Sequence, residues 1–225
     1  MNFPDALFSD TWAIWAVLPL FMVLWRCLRA APWGRLTDAG QSHVWWAALV
    51  VLTLFWSMKA GVKPGLNLHL LGATALTLMF GRHLAIIGLC LVLAAVTLNQ
   101  SLRGSDGWQM YALNALVLAV FPVWVTDVWR RMVERRLPAH FFIYVFVAAF
   151  FGAAITVVAT GALTTLLMWL GEVYPASVLL EDYFPYFILL GFSEAWLNGA
   201  AITLMIVFVP HWVVSFDDRR YLLNK

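Results

Sequence analysis

The chain has 225 residues, of which 63% are apolar, 16% aromatic and only 12% charged, with a formal net charge of +2. A soluble domain carries roughly 25% charged residues, so a water-soluble globule is excluded and the bilayer is the solvent to assume. Disorder, a collagen and a disulfide-rich secreted scaffold are excluded by the same composition, and a nucleic-acid partner by the low charge and the short, scattered basic clusters.

The first residues, Met1-Asn2-Phe3-Pro4-Asp5, carry no Lys or Arg ahead of the first apolar run. A secretory signal needs a basic start, so this segment is expected to stay in the mature protein. With about 20 residues needed to cross the hydrocarbon, the apolar runs predict helices near 11 to 29, 43 to 60, 68 to 81, 84 to 100, 108 to 129, 139 to 171 and 183 to 214. Ala30 to Ser42 is a polar connection. The third run is short and ends at Gly81-Arg82-His83; without Arg82, residues 68 to 100 would read as one helix. The last two runs exceed the membrane thickness, and tilt, an interfacial extension or a break near Pro185, Gly191 or Gly199 absorbs the excess. Neither a repeat nor a Pro/Gly/Ser linker divides the chain, so 1–225 reads as a single membrane domain.

Lys and Arg near span ends stay cytoplasmic. With seven spans, eleven of the 14 basic residues fall on one side: Arg26, Arg29 and Arg35, then Arg82, then Arg130, Arg131, Arg135 and Arg136, then Arg219, Arg220 and Lys225. Only Lys59, Lys63 and Arg103 fall opposite, beside Asp5, Asp10, Asp106, Glu172, Glu181 and Asp182. The expected fold is therefore all-α, a polytopic integral membrane helical bundle of about seven transmembrane helices. Its N-terminus lies outside and its C-terminus in the cytoplasm. Trp12, Trp15, Trp25, Trp45, Trp46, Trp56, Trp108, Trp129, Trp169 and Trp212 fall near span ends and read as interfacial anchors. Cys27 and Cys90 have no metal-binding spacing around them and read as packing residues.

Polar side chains within spans cost several kcal/mol unless paired or wet, so each needs an account. His69 follows Pro64 and Gly65, where the backbone is expected to be non-helical; the residue either meets a ligand or bonds a neighbouring carbonyl. His83 stands 14 residues on, about 21 Å along a helix, too far to share an ion with it. His43, His140 and His211 lie near cytoplasmic span ends and read as solvated. Glu194 is the deepest carboxylate, beside the small-residue series Gly191, Ala195, Gly199 and Thr203 that allows close helix approach. Structural hydrogen bonding and a transport role both suit it. Gly191-Phe192-Ser193-Glu194 is loosely similar to the Gly-x-Ser-Gly of intramembrane serine proteases, but Glu194 replaces the second glycine and His211 lies about 27 Å along the same run. Without a Walker loop, a GxGxxG or an HExxH, no enzyme is expected, nor any tightly bound cofactor.

Met1-Asn2-Phe3-Pro4-Asp5-Ala6-Leu7-Phe8-Ser9 resembles the start of the CbiM/NikM family, Met-His-Ile-Pro-Asp-Gly-Phe-Leu-Ser. His69-Leu70-Leu71-Gly72-Ala73 is similar to its His-Leu-Leu-Gly-Ala stretch, and Gln100, Asp106-Gly107 and Asn114 to its Gln, Asp-Gly and Asn pattern. The resemblance implies an integral-membrane substrate-binding component of an energy-coupling-factor (ECF) ABC transporter in the bacterial inner membrane. Such a component takes up Ni(II) or Co(II), with Cu(II) also compatible, and works with separate ATPase and transmembrane coupling subunits. It further implies a metal site built from the Met1 amine, the position 2 amide and side chain, and His69, a set suited to a square-planar ion. The chain departs from the family at Asn2, which stands where the family has histidine, at Ala6 and at Arg82. Three of four donors remain, and the last corner falls to water, to Asn67 or to another residue. Asp5 is expected to orient the N-terminal segment by hydrogen bonding or to cap. The alternative expectation is a non-transporting membrane scaffold or assembly protein on the same fold.

Overall fold

The computed structural model describes residues 1–63, 65–217, 219 and 221. Pro64, Arg220 and Lys225, which entered the sequence reading, lie outside the described residues. A 3-10 turn at Asp5–Leu7 leads into α1 (Asp10–Ala30), followed by α2 (Ala39–Ser57) and a two-stranded antiparallel hairpin, β1 (Ala60–Lys63) and β2 (Leu66–Leu68). Next come α3 (Ala73–Phe80), α4 (Arg82–Leu102), α5 (Tyr111–Arg136), α6 (Ile143–Leu170), α7 (Ala176–Asp182) and α8 (Phe184–Phe208).

Among the described residues five helical stretches are long and apolar enough to cross a membrane: Asp10–Ala30, Arg82–Leu102, Tyr111–Arg136, Ile143–Leu170 and Ala176–Phe208. Their outer faces are oily. On α1, Ile14, Trp15, Leu18 and Phe21 are each exposed by more than three fifths, an arrangement that water would penalise and acyl chains would not.

The expected helix over 68 to 81 is corrected. Leu66–Leu68 is a strand, His69 to Gly72 is irregular, and α3 has only eight residues. The apolar run is continuous there, but Gly72 adopts φ +64°, a conformation that ends regular helix and that glycine adopts without a Cβ penalty. A Cβ on Gly72 would also collide with Leu52 on α2. The break expected near Pro185 falls at Tyr183, between α7 and α8, with Pro185 in the first turn of α8 where its missing N–H costs nothing. Gly191 and Gly199 lie inside α8 and serve close approach to α6: a Cβ on Gly191 would stand 3.4 Å from the Ala154 carbonyl oxygen, and one on Gly199 2.9 Å from Phe150. Two stretches, Leu116–Val120 and Ile143–Phe151, are wound as π-helix within α5 and at the start of α6.

Gly161 on α6 is the tightest of these contacts, facing the fully buried Phe187 ring of α8; an added Cβ would lie 2.7 Å from Phe187 Cβ. Overpacking of this kind costs about 1–3 kcal/mol. Gly161→Val is expected to lower the thermal unfolding midpoint of detergent-solubilised protein by several degrees; an unchanged midpoint would mean that the ring can move aside.

The connections segregate to two ends. At one, Lys63 of the hairpin pairs with Asp182 at 2.5 Å, Gln109 donates to Asp10, and Phe8 packs against Gly171. At the other, Gln41 Nε2 donates to the His211 carbonyl oxygen at 3.0 Å, Tyr144 and Ser215 hydroxyls bond at 2.6 Å, and Asp127 receives Arg131 at 2.8 Å and Arg130 at 3.1 Å.

Two of the ten tryptophans read as anchors, Trp45 and Trp56, are buried within the bundle rather than turned outward. Depth along the sequence does not reveal which way an indole faces, and these two face inward. Cys27 and Cys90 are buried free thiols, as the packing reading expects.

Candidate metal site

The N-terminus folds into the bundle. Met1, Asn2 and Phe3 are at most 4% exposed, and burial of this kind requires partners for their polar groups. The Met1 amine donates to the Asn67 carbonyl oxygen on β2. Phe3 N–H donates to Asn114 Oδ1 at 2.7 Å, and Asn114 Nδ2 returns a bond to the Phe3 carbonyl oxygen at 3.0 Å. Asp5 N–H donates to Asp106 Oδ1 at 2.9 Å, while Asp5 Oδ1 accepts from Met110 N–H at 3.0 Å. Asp5 thus orients the segment, as the orienting alternative expects. Gly107 is needed beside it, because any Cβ there would collide with the Asp5 carboxylate.

The hairpin brings up the other half. A Cβ on Gly65 at its tip would touch Leu7 at 3.0 Å, so the hairpin lies against the N-terminal segment. Directly after β2, His69 is 3% exposed. Its Nδ1 stands 3.0 Å from the Leu70 carbonyl oxygen, which can only accept, so Nδ1 carries the proton and Nε2 presents its lone pair. Nε2 faces Asn2 Oδ1 at 3.1 Å. Two lone pairs this close repel unless a cation joins them or the carboxamide turns its Nδ2 inward to donate. Trp56 covers the imidazole, ring centroids 4.9 Å apart, and its indole donates to the Leu71 carbonyl oxygen at 3.0 Å.

Burial, reinforced by the Lys59 ammonium, pushes the Met1 amine well below its ordinary pKa. The amine is therefore held toward the neutral form in which nitrogen is a ligand.

Met1, Asn2 and His69 are thus brought together from opposite ends of a 67-residue separation. Asn67 contributes its carbonyl oxygen, in contact with the Met1 amine. Of the remaining histidines, two take local roles: His83 Nε2 accepts from Arg82 at 3.2 Å and His140 Nδ1 from Phe142 N–H at 3.1 Å. Ser193 is exposed and bonds its own helix, far from the setting a nucleophile needs. Among the described residues there is no cluster of three or more His, Cys, Asp or Glu side chains able to hold a metal. A site using a backbone amine escapes that criterion.

Sequence reading left two contributors without a place. Trp56, read as an anchor, walls the imidazole. Glu194, left open between two roles, lies 2% exposed on α8 and accepts from the Leu71 and Gly72 N–H groups through Oε1, the former at 2.7 Å. Asn198, one turn on, donates to the Glu194 carbonyl oxygen at 2.9 Å and accepts from Ala75 N–H at 2.7 Å.

The same architecture recurs in solved structures. The crystal structure of a truncated transition metal transporter superposes with TM-score 0.75 at 17% identity over 92% of this chain and 99% of the other. That of a transition metal transporter does so with TM-score 0.74 at 18% identity over 94% and 96%. At such identity the likeness establishes the fold. No curated protein matches the chain at a significant level. The family described as CbiM, cobalt uptake substrate-specific transmembrane region, matches residues 2–212. With nearly the full length matched and the helical architecture shared, the chain belongs to the CbiM family of membrane proteins.

Proposed function

We propose that this protein captures a divalent transition-metal ion, Ni(II), Co(II) or Cu(II), at the outer membrane face and takes part in its uptake. The Met1 amine, Asn2 and His69 form the site. The observation that carries this reading is the approach of the Asn2 carboxamide oxygen to the His69 imidazole lone pair, beside a buried N-terminal amine that bonds the Asn67 carbonyl two residues before His69. For metal–ligand bonds of about 2.1 Å at right angles, neighbouring donors stand about 3.0 Å apart. The 3.1 Å between Asn2 Oδ1 and His69 Nε2 suits that spacing. The amine and the Asn2 amide nitrogen would close one chelate ring and the amide nitrogen and Oδ1 a second, so Asn2 itself fills the corner left open by the missing imidazole.

The chain crosses the membrane seven times in this reading, with α2 and the short α3 joining the five longer stretches, the N-terminus outside and the C-terminus cytoplasmic. Supporting it, alternate connections meet at opposite ends of the bundle, and the Arg-rich cluster on α5 falls at the end away from the proposed metal site. The partners are an ATPase and a transmembrane coupling subunit, as membership of the family suggests, and the compartment is the bacterial inner membrane.

Calorimetric titration of Ni(II), Co(II) and Cu(II) into purified protein with a native terminus tests the site. His69→Ala is expected to weaken binding of the preferred ion at least about 100-fold, the loss of one of few nitrogen donors. Binding that survives this change rejects the site. No binding by wild type, with binding gained in Asn2→His, would favour a non-transporting scaffold.

A further inference from the structure

The stretch His69 to Gly72 is irregular backbone between a strand and a short helix, and it carries the imidazole. Irregular backbone at such depth persists only where its polar groups are satisfied. Here the satisfying groups come from two other elements. Trp56 on α2 donates to the Leu71 carbonyl oxygen at 3.0 Å, and Glu194 on α8 accepts from the N–H groups of Leu71 and Gly72. The first turn of α3 needs acceptors for its free N–H groups, and Asn198 supplies one to Ala75 at 2.7 Å. Asn198 Nδ2 also reaches Glu194 Oε2 at 3.3 Å. Every partner of the carboxyl group is a donor, and it stands where the start of α3 needs acceptors.

We propose that Glu194 is a positioning residue of the metal site. By gripping the Leu71 and Gly72 amides it sets the backbone from which His69 projects, and so fixes where Nε2 stands relative to Met1 and Asn2. This rests on the metal-site reading above. The same carboxylate is the mechanical link between His69 and α8. A cleft of about 630 Å³, open on one side, lies between α2, α3 and α8 and is bordered by Val51, Ala75, Leu197 and Ala201. A shift of α8 into that space would carry the Leu71 and Gly72 amides with it and move the imidazole. Ligand positions need to hold within about 0.5 Å for binding, so small displacements suffice.

The test uses the full chain in detergent: wild type, Glu194→Gln, Glu194→Leu, Asn198→Ala and His69→Ala. Each is titrated with Cu(II) by calorimetry, examined by electron paramagnetic resonance with Cu(II) bound, and melted without metal. Glu194→Gln keeps an oxygen for the two amides and is expected to bind within about threefold of wild type. Glu194→Leu is expected to bind at least about tenfold more weakly, with an altered Cu(II) spectrum in the folded fraction. A merely structural role would lower the melting midpoint and leave that spectrum unchanged. A folded Glu194→Leu with wild-type affinity and spectrum overturns the proposal, as does a Glu194→Gln as weak as Glu194→Leu. Should Glu194→Leu fail to fold, Asn198→Ala, which loosens the carboxylate and strands Ala75 N–H, must show the spectral change; a wild-type spectrum there overturns the proposal. Cu(II) binding that survives His69→Ala rejects the metal site and the positioning role together. Loss in His69→Ala without loss in Glu194→Leu rejects the positioning role alone.

Discussion

One glycine added ahead of Met1 is expected to weaken metal binding at least about 100-fold, equivalent to about 2.7 kcal/mol. The addition converts the Met1 amine, the proposed ligand, held toward neutrality by burial, into a peptide nitrogen of far lower basicity. The Asn67 carbonyl can still accept from the new amide N–H, so the fold is expected to survive and the loss to appear chiefly in affinity. Calorimetry beside a thermal melt, with the same glycine added at the C-terminus as control, checks this. Undiminished binding in the extended protein would remove the amine from the site.

Asn114→Leu is expected to weaken binding about 10- to 100-fold without touching a ligand. Asn114 bonds both polar groups of the Phe3 backbone, at 2.7 and 3.0 Å, in a buried position. Leucine leaves both unpaired, at about 1–3 kcal/mol for each stranded group. The docked terminus then becomes one state among several, and apparent affinity falls with the docked fraction. Acylation of the Met1 amine offers a second readout: the variant should react faster than wild type at equal pH. Equal reactivity and equal affinity would show that Phe8 and Asp5 hold the segment without Asn114.

Both predictions depend on residues that the sequence identified unevenly. Met1, Asn2, Asn114 and His69 stood out through a resemblance of short motifs, while Asp5 was legible only as a group that either orients the segment or caps. Glu194 was visible as a buried-carboxylate problem but not as a solution, since its partners lie 122 and 123 residues away. Trp56 was misassigned because its position in the chain matched a membrane interface, whereas its side chain turns toward His69.

The membrane class and the placement of the long helices followed from the chain alone, because hydropathy acts locally and sums along a single segment. The interruption between β2 and α3, the inward turn of Trp45 and Trp56, and the clamp on Leu71 and Gly72 required tertiary structure. An apolar run is compatible with helix, strand or irregular backbone, and the choice falls to whichever distant polar group arrives to satisfy the stranded amides. In this protein that group is the carboxylate of α8.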